Sequence, residues 1–293
     1  MYKKICLLLL LSLTFTTSLM ASGVEAVKGK VKDSYNYWFY APGDVKELRK
    51  GEAKPLVIFL HGASLCGTDM NKVRRYGTIN AIEKGRDLDA YVIAPQNPGG
   101  AWKPEKIMKI VDYVSEHNNV DPNRIYVLGM SLGGYGTLDL TAAYPDRIAA
   151  AIGICGGSTA KDMSGLAEVP LWIIHGTADN AVSISQSDKV AAAVRNAQKD
   201  GVNRLSYDRV AGMNHSQPAR ILYNPDTYEW LFSHRLDTEG RPMTPTKKIN
   251  SDYMGSSYSG LDHSKGYKSK SAKSGKSKKA AKNKKNKKSK KKK

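Results

Sequence analysis

The sequence predicts an α/β fold: a doubly wound, mainly parallel sheet of about 7–8 strands, no cap domain, and a disordered basic C-terminal tail. Three observations carry this expectation. Short β-branched or aromatic runs alternate with longer helical patterns between about residues 35 and 233. Several of those runs are apolar throughout, which suits strands covered on both faces. The last thirty residues, 264–293, hold almost nothing that a core could bury.

Taken from the N-terminus, residues 1–21 read as a secretory signal peptide. Lys3 and Lys4 precede an apolar stretch from Ile5 to about Phe15, and small polar residues end near Ala21. The apolar stretch is shorter than the roughly 18 residues a membrane span needs, so cleavage is favoured over anchoring. The expectation is a secreted or periplasmic protein with no transmembrane segment after cleavage. Residues 30–236 are expected to form the catalytic domain. Its strand candidates are 35–40, 56–60, 91–95, 125–129, 150–154, 171–176 and 205–210; its helix candidates are 103–117, 132–143, 186–199 and 226–233. Asp121-Pro122 and Asn97-Pro98-Gly99-Gly100 punctuate the chain as turns. Residues 237–263 lose all periodicity and read as a linker.

The charge is unevenly placed. Of a net +19, sixteen charges are lysines of residues 264–293, a stretch without acids; subtracting them leaves +3 for residues 1–263. The tail is a polycation suited to solubility or to a sequence-blind grip on polyanions, possibilities its charge does not separate. After signal cleavage only Cys66 and Cys155 remain, too few for a disulfide framework. Whether they pair or stay free is left open by composition, as is the oligomeric state.

The chemistry sits in IYVLGMSLGGYGT, residues 125–137. Gly129-Met130-Ser131-Leu132-Gly133 has the form G-x-S-x-G where a strand candidate gives way to a helix candidate. Glycines on either side make room for a tight turn that lifts the serine hydroxyl clear of the sheet. Alone the pattern is weak; its downstream partners strengthen it. A serine needs a base, and the base an orienting acid, in the chain order Ser, acid, His for this kind of turn. LWIIHGTADNAV places Asp179 beyond a buried strand, and LSYDRVAGMNHS places His215 after the last one. The expected triad is Ser131, Asp179 and His215. Asp188 is a weaker rival because it falls inside a helix. His175 reads as a satisfied core histidine, His234 as a surface residue, and His61 as a loop brace. The oxyanion hole is expected from the backbone N–H groups of Leu132 and Ala63. Trp102 either lines a substrate groove or staples the following helix. No metal cluster, cofactor loop or phosphate loop is visible in the sequence.

From about Tyr37 to Phe232 the chain resembles the α/β-hydrolase superfamily, and within it the secreted carboxylesterase group with phospholipase/carboxylesterase-like, polyhydroxybutyrate-depolymerase-like and feruloyl-esterase-like members. The resemblance rests on PLVIFLHGAS and GTD, on VDPNRIYVLGMSLGGYGTLDLTAAYPDRIAAAIGICGG, on PLWIIHGTADNAVSISQS, and on MNHS ahead of YEWLF. It implies serine hydrolysis of carboxylic esters through an acyl-enzyme. Ser64-Leu65-Cys66 departs from the pattern, where relatives carry a Gly and charged residues, and MNHS lacks the Gly that often precedes the histidine. A Cys66–Cys155 disulfide near the site is one outcome of this arrangement. Only about fifteen residues separate the strands ending near Ile154 and beginning near Leu171, too few for a cap. An open site favours bulky or polysaccharide-linked esters, such as acetyl or feruloyl esters. Two other readings stand beside this one: a serine peptidase of prolyl-oligopeptidase type, and a polyanion- or surface-binding protein that works through its Lys tail.

Overall fold

A computed structural model describes residues 23–43 and 45–267. The expected signal peptide and residues 268–293 of the expected tail lie outside the described residues. Eight strands form one sheet: β1 (Val24–Val27), β2 (Tyr37–Tyr40), β3 (Lys54–Leu60), β4 (Tyr91–Pro95), β5 (Val120–Met130), β6 (Ala150–Ile154), β7 (Leu171–Gly176) and β8 (Leu205–Val210), in the order β1-β2-β4-β3-β5-β6-β7-β8. The first two pairings are antiparallel and every later one is parallel. The helices are α1 (Val45–Leu48), α2 (Thr78–Glu83), α3 (Pro104–His117), α4 (Leu132–Ala143), α5 (Ser185–Ala197), α6 (Pro225–Phe232) and α7 (Ser251–Ser256). Among the described residues no helix is long and apolar enough to cross a membrane.

Parallel strands need helical crossovers, and these cover both faces of the sheet. That is why β3, β4, β6 and β7 are buried almost without alternation. Two apolar clusters result. One, around Phe59, Tyr126, Ile152 and Trp172, packs against α2 and α6; the other, around Ile58, Val127 and Ile173, packs against α3, α4 and α5. Helix α3 starts with Pro104 in its first turn and buries Ile107, Ile110, Val111 and Val114, the stripe its spacing predicts. The expected turn at Asp121-Pro122 is instead a bulge within β5. Lys54 pairs with Val120 and Leu56 already with Ile125, so residues 121–124 loop out, closed by a bond from Asn123 N–H to Asp121 Oδ1 at 2.9 Å.

The domain is longer at both ends than residues 30–236. Strand β1 adds an antiparallel edge before residue 30. Residues 237–267, expected as a linker running into a free tail, form a packed strap. Tyr253 and Leu261 join the core, with Tyr253 edge-on to Trp172 at 6.3 Å. Asn224, which caps α6, donates to Tyr253 O at 2.8 Å. The strap's far end reaches α2, where Tyr267 N–H donates to Glu83 and the Tyr267 ring lies under the Arg74 guanidinium. The strap also reverses the expectation for His234. Its Nδ1 bonds Trp230 O at 2.8 Å, its Nε2 accepts from Thr244 N–H of the strap at 2.9 Å, and burial lowers its pKa. It is an interior histidine.

Candidate active site

Strand β5 ends at Met130 and α4 begins at Leu132, so Ser131 is the whole of the turn between them. Its φ of 60° and ψ of −123° lie where a side chain is strained, at a cost of about 1–3 kcal/mol. The turn is held by Ser131 N–H donating to Ile154 O at 2.8 Å and by Tyr135 N–H donating to Ser131 O at 3.0 Å. The flanking glycines are required by backbone contact: a Cβ on Gly129 would strike Gly133 O, and one on Gly133 would strike Leu60 O. Ser131 occupies the N-cap position of α4, yet its hydroxyl caps nothing. It points at His215 instead, with Oγ 3.0 Å from Nε2.

The other two residues arrive from the ends of β7 and β8, the edge of a parallel sheet where ligand sites collect. Asp179 follows β7 on a turn in which its Oδ1 accepts from Ala181 N–H at 2.8 Å and Val182 N–H at 2.9 Å. Its Oδ2 takes the bond from His215 Nδ1 at 2.6 Å. Burial works to raise the Asp179 pKa, but the bonds from Val182, His215 and Ala181 outweigh it and hold the carboxyl below its ordinary value. The two loops are stitched together: Ala178 N–H donates to Met213 O at 3.1 Å and Gly212 N–H to Thr177 Oγ1 at 3.0 Å. The Asp179 side chain is fully buried while His215 keeps 27% exposure, so the acid is shielded and the base is reachable. Asp188 lies on α5, accepting from Tyr207 O–H at 2.9 Å, and takes no part.

Two neighbours of the acid were not visible as such in the sequence. His175 Nε2 faces Val182 O at 3.0 Å and Asp179 Oδ2 at 3.2 Å, both acceptors, so that nitrogen carries a proton. Its Nδ1 lies 2.8 Å from Ser187 Oγ. Expected as a satisfied core histidine, it is one, and it also abuts the acid. Cys155 lies beside Asp179, and burial pushes its thiol up to about 12. Cys155 and Cys66 are both free, so the considered disulfide is absent. Donor atoms of Cys155, Asp179 and His215 lie within 4.8 Å of one another. The short Asp179–His215 bond and the protonated thiol already engage these donors with one another, which fits a triad better than a metal centre.

The expected oxyanion donors lie on the turn after β3 and at the start of α4. Gly62 O accepts from Leu65 N–H at 3.1 Å, which closes the 3₁₀ turn Ala63–Leu65. Leu132 opens α4, and the first N–H groups of a helix have no partner within it. His61 is fully buried and braces this turn, with Nδ1 donating to Gly62 O at 2.8 Å and Nε2 accepting from Asn97 N–H at 3.0 Å. Burial lowers it to about 4, so it is a neutral brace. Trp102 does not line a groove. It is 3% exposed, edge-on to His61 at 5.0 Å, and its Nε1 donates to His61 O at 3.3 Å.

Comparison with known proteins follows this geometry. Residues 101–227, from the start of α3 to α6, match the Phospholipase/Carboxylesterase family model. That match spans less than half of the chain, and the eight-stranded sheet has the α/β-hydrolase fold. The chain is 30% identical over 121 residues to poly(3-hydroxyalkanoate) depolymerase C of Paucimonas lemoignei, covering 35% of this chain and 28% of that one. It is 22% identical over 223 residues to a bifunctional acetylxylan esterase/xylanase of Neocallimastix patriciarum, covering 71% of this chain and 30% of that one. The chain thus spans less than a third of either relative's length. Among solved structures, a thermostable esterase superposes with a TM-score of 0.58 at 24% identity, over 73% of this chain and 63% of that one. An S-formylglutathione hydrolase from Agrobacterium tumefaciens gives 0.51 at 16% identity, over 72% and 94%. These likenesses carry the fold.

Proposed function

We propose that this hydrolase is an exported serine esterase that cleaves carboxylic esters through an acyl-enzyme. The observation that carries the reading is the unbroken run Ser131 Oγ–His215–Asp179, 3.0 and 2.6 Å, at the ends of β5, β7 and β8. His215 Nε2 takes the Ser131 proton as Oγ attacks the ester carbonyl, and Asp179 fixes the tautomer and offsets the charge that forms on the ring. The tetrahedral oxyanion is held by Leu132 N–H and Ala63 N–H. His215 then protonates the leaving alcohol, and water enters by the same base to release the acid.

The open edge supports bulky or polymer-linked esters, acetyl and feruloyl esters of polysaccharides among them. Residues 155–170, where a cap would be inserted, contain only the 3₁₀ turn Ser164–Glu168. A poly(3-hydroxyalkanoate) depolymerase and an acetylxylan esterase/xylanase among the relatives support a polymer-linked ester. Export rests on the charged and apolar order of residues 1–21, and a polyanion grip on the lysines of residues 264–293. The same triad serves a peptidase, but residues 155–170 offer no second domain to select peptides. Ser131→Ala is expected to abolish hydrolysis of p-nitrophenyl acetate while the circular dichroism spectrum is kept; undiminished turnover would overturn the assignment. A panel of acetyl, feruloyl, longer acyl and dipeptide substrates separates esterase from peptidase. Removing residues 264–293 tests whether polyanion binding is separable from turnover.

A further inference from the structure

The turn Ala63–Leu65 departs from the family pattern at Ser64, and it faces a residue that neither the triad nor the expected oxyanion hole uses. Tyr76 precedes α2 and is half-buried, its ring edge-on to Phe59 at 6.2 Å. Its phenolic oxygen accepts from Gly62 N–H at 2.8 Å. A Cβ built on Gly62 would lie 2.8 Å from that oxygen and 3.4 Å from Ser131 Cβ, so only the width of one glycine separates the phenol from the nucleophile. Ser64 of the same turn lies beside that oxygen. A phenol has two lone pairs and one hydrogen. Gly62 N–H occupies one lone pair. No protein acceptor for the phenolic hydrogen is found among the described residues.

We propose that the Tyr76 hydroxyl is a catalytic donor: it gives a hydrogen bond to the carbonyl oxygen of the bound ester, as a third donor beside Leu132 N–H and Ala63 N–H. By accepting from Gly62 N–H it also fixes the His61–Gly62 peptide, one unit ahead of Ala63 N–H. The proposal rests on the esterase reading.

The test must separate donating from accepting, because Tyr76→Phe removes both. That variant keeps the ring against Phe59 and is expected to lower kcat for p-nitrophenyl acetate about 100-fold with little change in KM. Ser64→Ala is expected to change kcat by less than about threefold; a loss as large as that of Tyr76→Phe would make Ser64 the donor and overturn the proposal. The deciding measurement places a fluorinated tyrosine at position 76, whose more acidic phenol ionises within the assay range. Burial raises the natural Tyr76 pKa, so the natural side chain keeps its proton there. The ionised phenol still accepts from Gly62 N–H, and does so more strongly, but has no proton to give. The other titratable groups facing it are Cys66, Tyr223, which burial keeps protonated, and, across Gly62 beside Ser131, His215, with Lys72 bound to Cys66 O at 2.7 Å. A Cys66→Ser background removes the thiol.

If Tyr76 donates, kcat gains a new descending limb at the pH where the ultraviolet band of the fluorophenolate appears. If kcat stays level through that ionisation, Tyr76 only accepts, and the proposal falls while the esterase reading stands. If the natural protein hydrolyses no ester and a fluorophosphonate fails to label Ser131, both fall together.

Discussion

The turn at residues 129–133 and the strap of residues 237–267 hold the same domain together by opposite means. In the turn, backbone meets backbone: Gly133 lies so close to Leu60 O that no side-chain carbon fits. In the strap, irregularly spaced side chains reach far-off partners, Tyr253 into the core and Arg241 to the carbonyls of Pro145 and Ile148. A tight backbone turn leaves a mark in the sequence, because only one or two residue types satisfy it. An anchoring side chain leaves almost none, because any large residue at the right point would serve. The comparison also divides labour. The turn places reacting atoms and tolerates little change; the strap stabilises the face around Trp172 and Trp230 and touches none of the three proposed catalytic side chains.

The sharpest way to break that division is Asp179→Asn. The amide keeps size and shape, but His215 Nδ1 loses its acceptor of choice and the ring can settle in the wrong tautomer. We expect kcat for p-nitrophenyl acetate to fall about 10⁴-fold, with a thermal midpoint within a few degrees of the natural protein. The bond at stake is the 2.6 Å contact to His215. A fall of less than tenfold would mean that the proton is taken by another route.

The strap predicts the reverse pattern. Tyr253→Ala removes a 5%-exposed ring that meets Trp172 and whose hydroxyl lies 2.8 Å from Thr227 Oγ1. Truncations of this kind cost about 3–5 kcal/mol. Chemical unfolding is expected to register that loss, while turnover per folded molecule holds. Unchanged stability would mean the strap merely rests on the surface.

What the sequence made legible follows the same division. Strands β4, β6, β7 and β8 fall where their apolar runs begin and end, and α4 spans the residues its pattern marks. The geometry joins Ser131, Asp179 and His215, which an ordered set of strand ends had singled out. The rest was hidden for physical reasons. His234 looked exposed at the end of a helix, and only Thr244, ten residues on in an aperiodic stretch, covers it. Trp102 fits a groove and a staple equally well in sequence; the space over Gly136 that it fills decides between them. Tyr76 carries no motif, because its position opposite Gly62 depends on how the chain returns from residue 67 to 77. The signal that could have drawn attention to it is weak: a lone aromatic just ahead of Gly77, whose φ is 86°.

A smaller effect sharpens the contrast between the two histidines of the site region. His215 is reachable, with 27% of its side chain exposed; His61 is sealed and must stay neutral to accept from Asn97 N–H. Its folded pKa, lowered by burial to about 4, lies below the ordinary value of 6.5. Between those values the unfolded chain binds more protons than the folded one, so stability is fully present above about pH 6.5 and declines as pH falls toward 4. The full shift corresponds to about 3 kcal/mol, and His234, also lowered by burial, adds in the same direction. Asp179 contributes below this window, since its pKa is lowered from 3.8. Asp208, raised by burial, opposes the trend at the window's lower edge. His61→Asn keeps an amide able to donate to Gly62 O but titrates nothing. Urea midpoints measured from pH 7 to 4 are expected to fall less steeply in that variant than in the natural protein. Parallel slopes would show that His61 is no more sealed than His215.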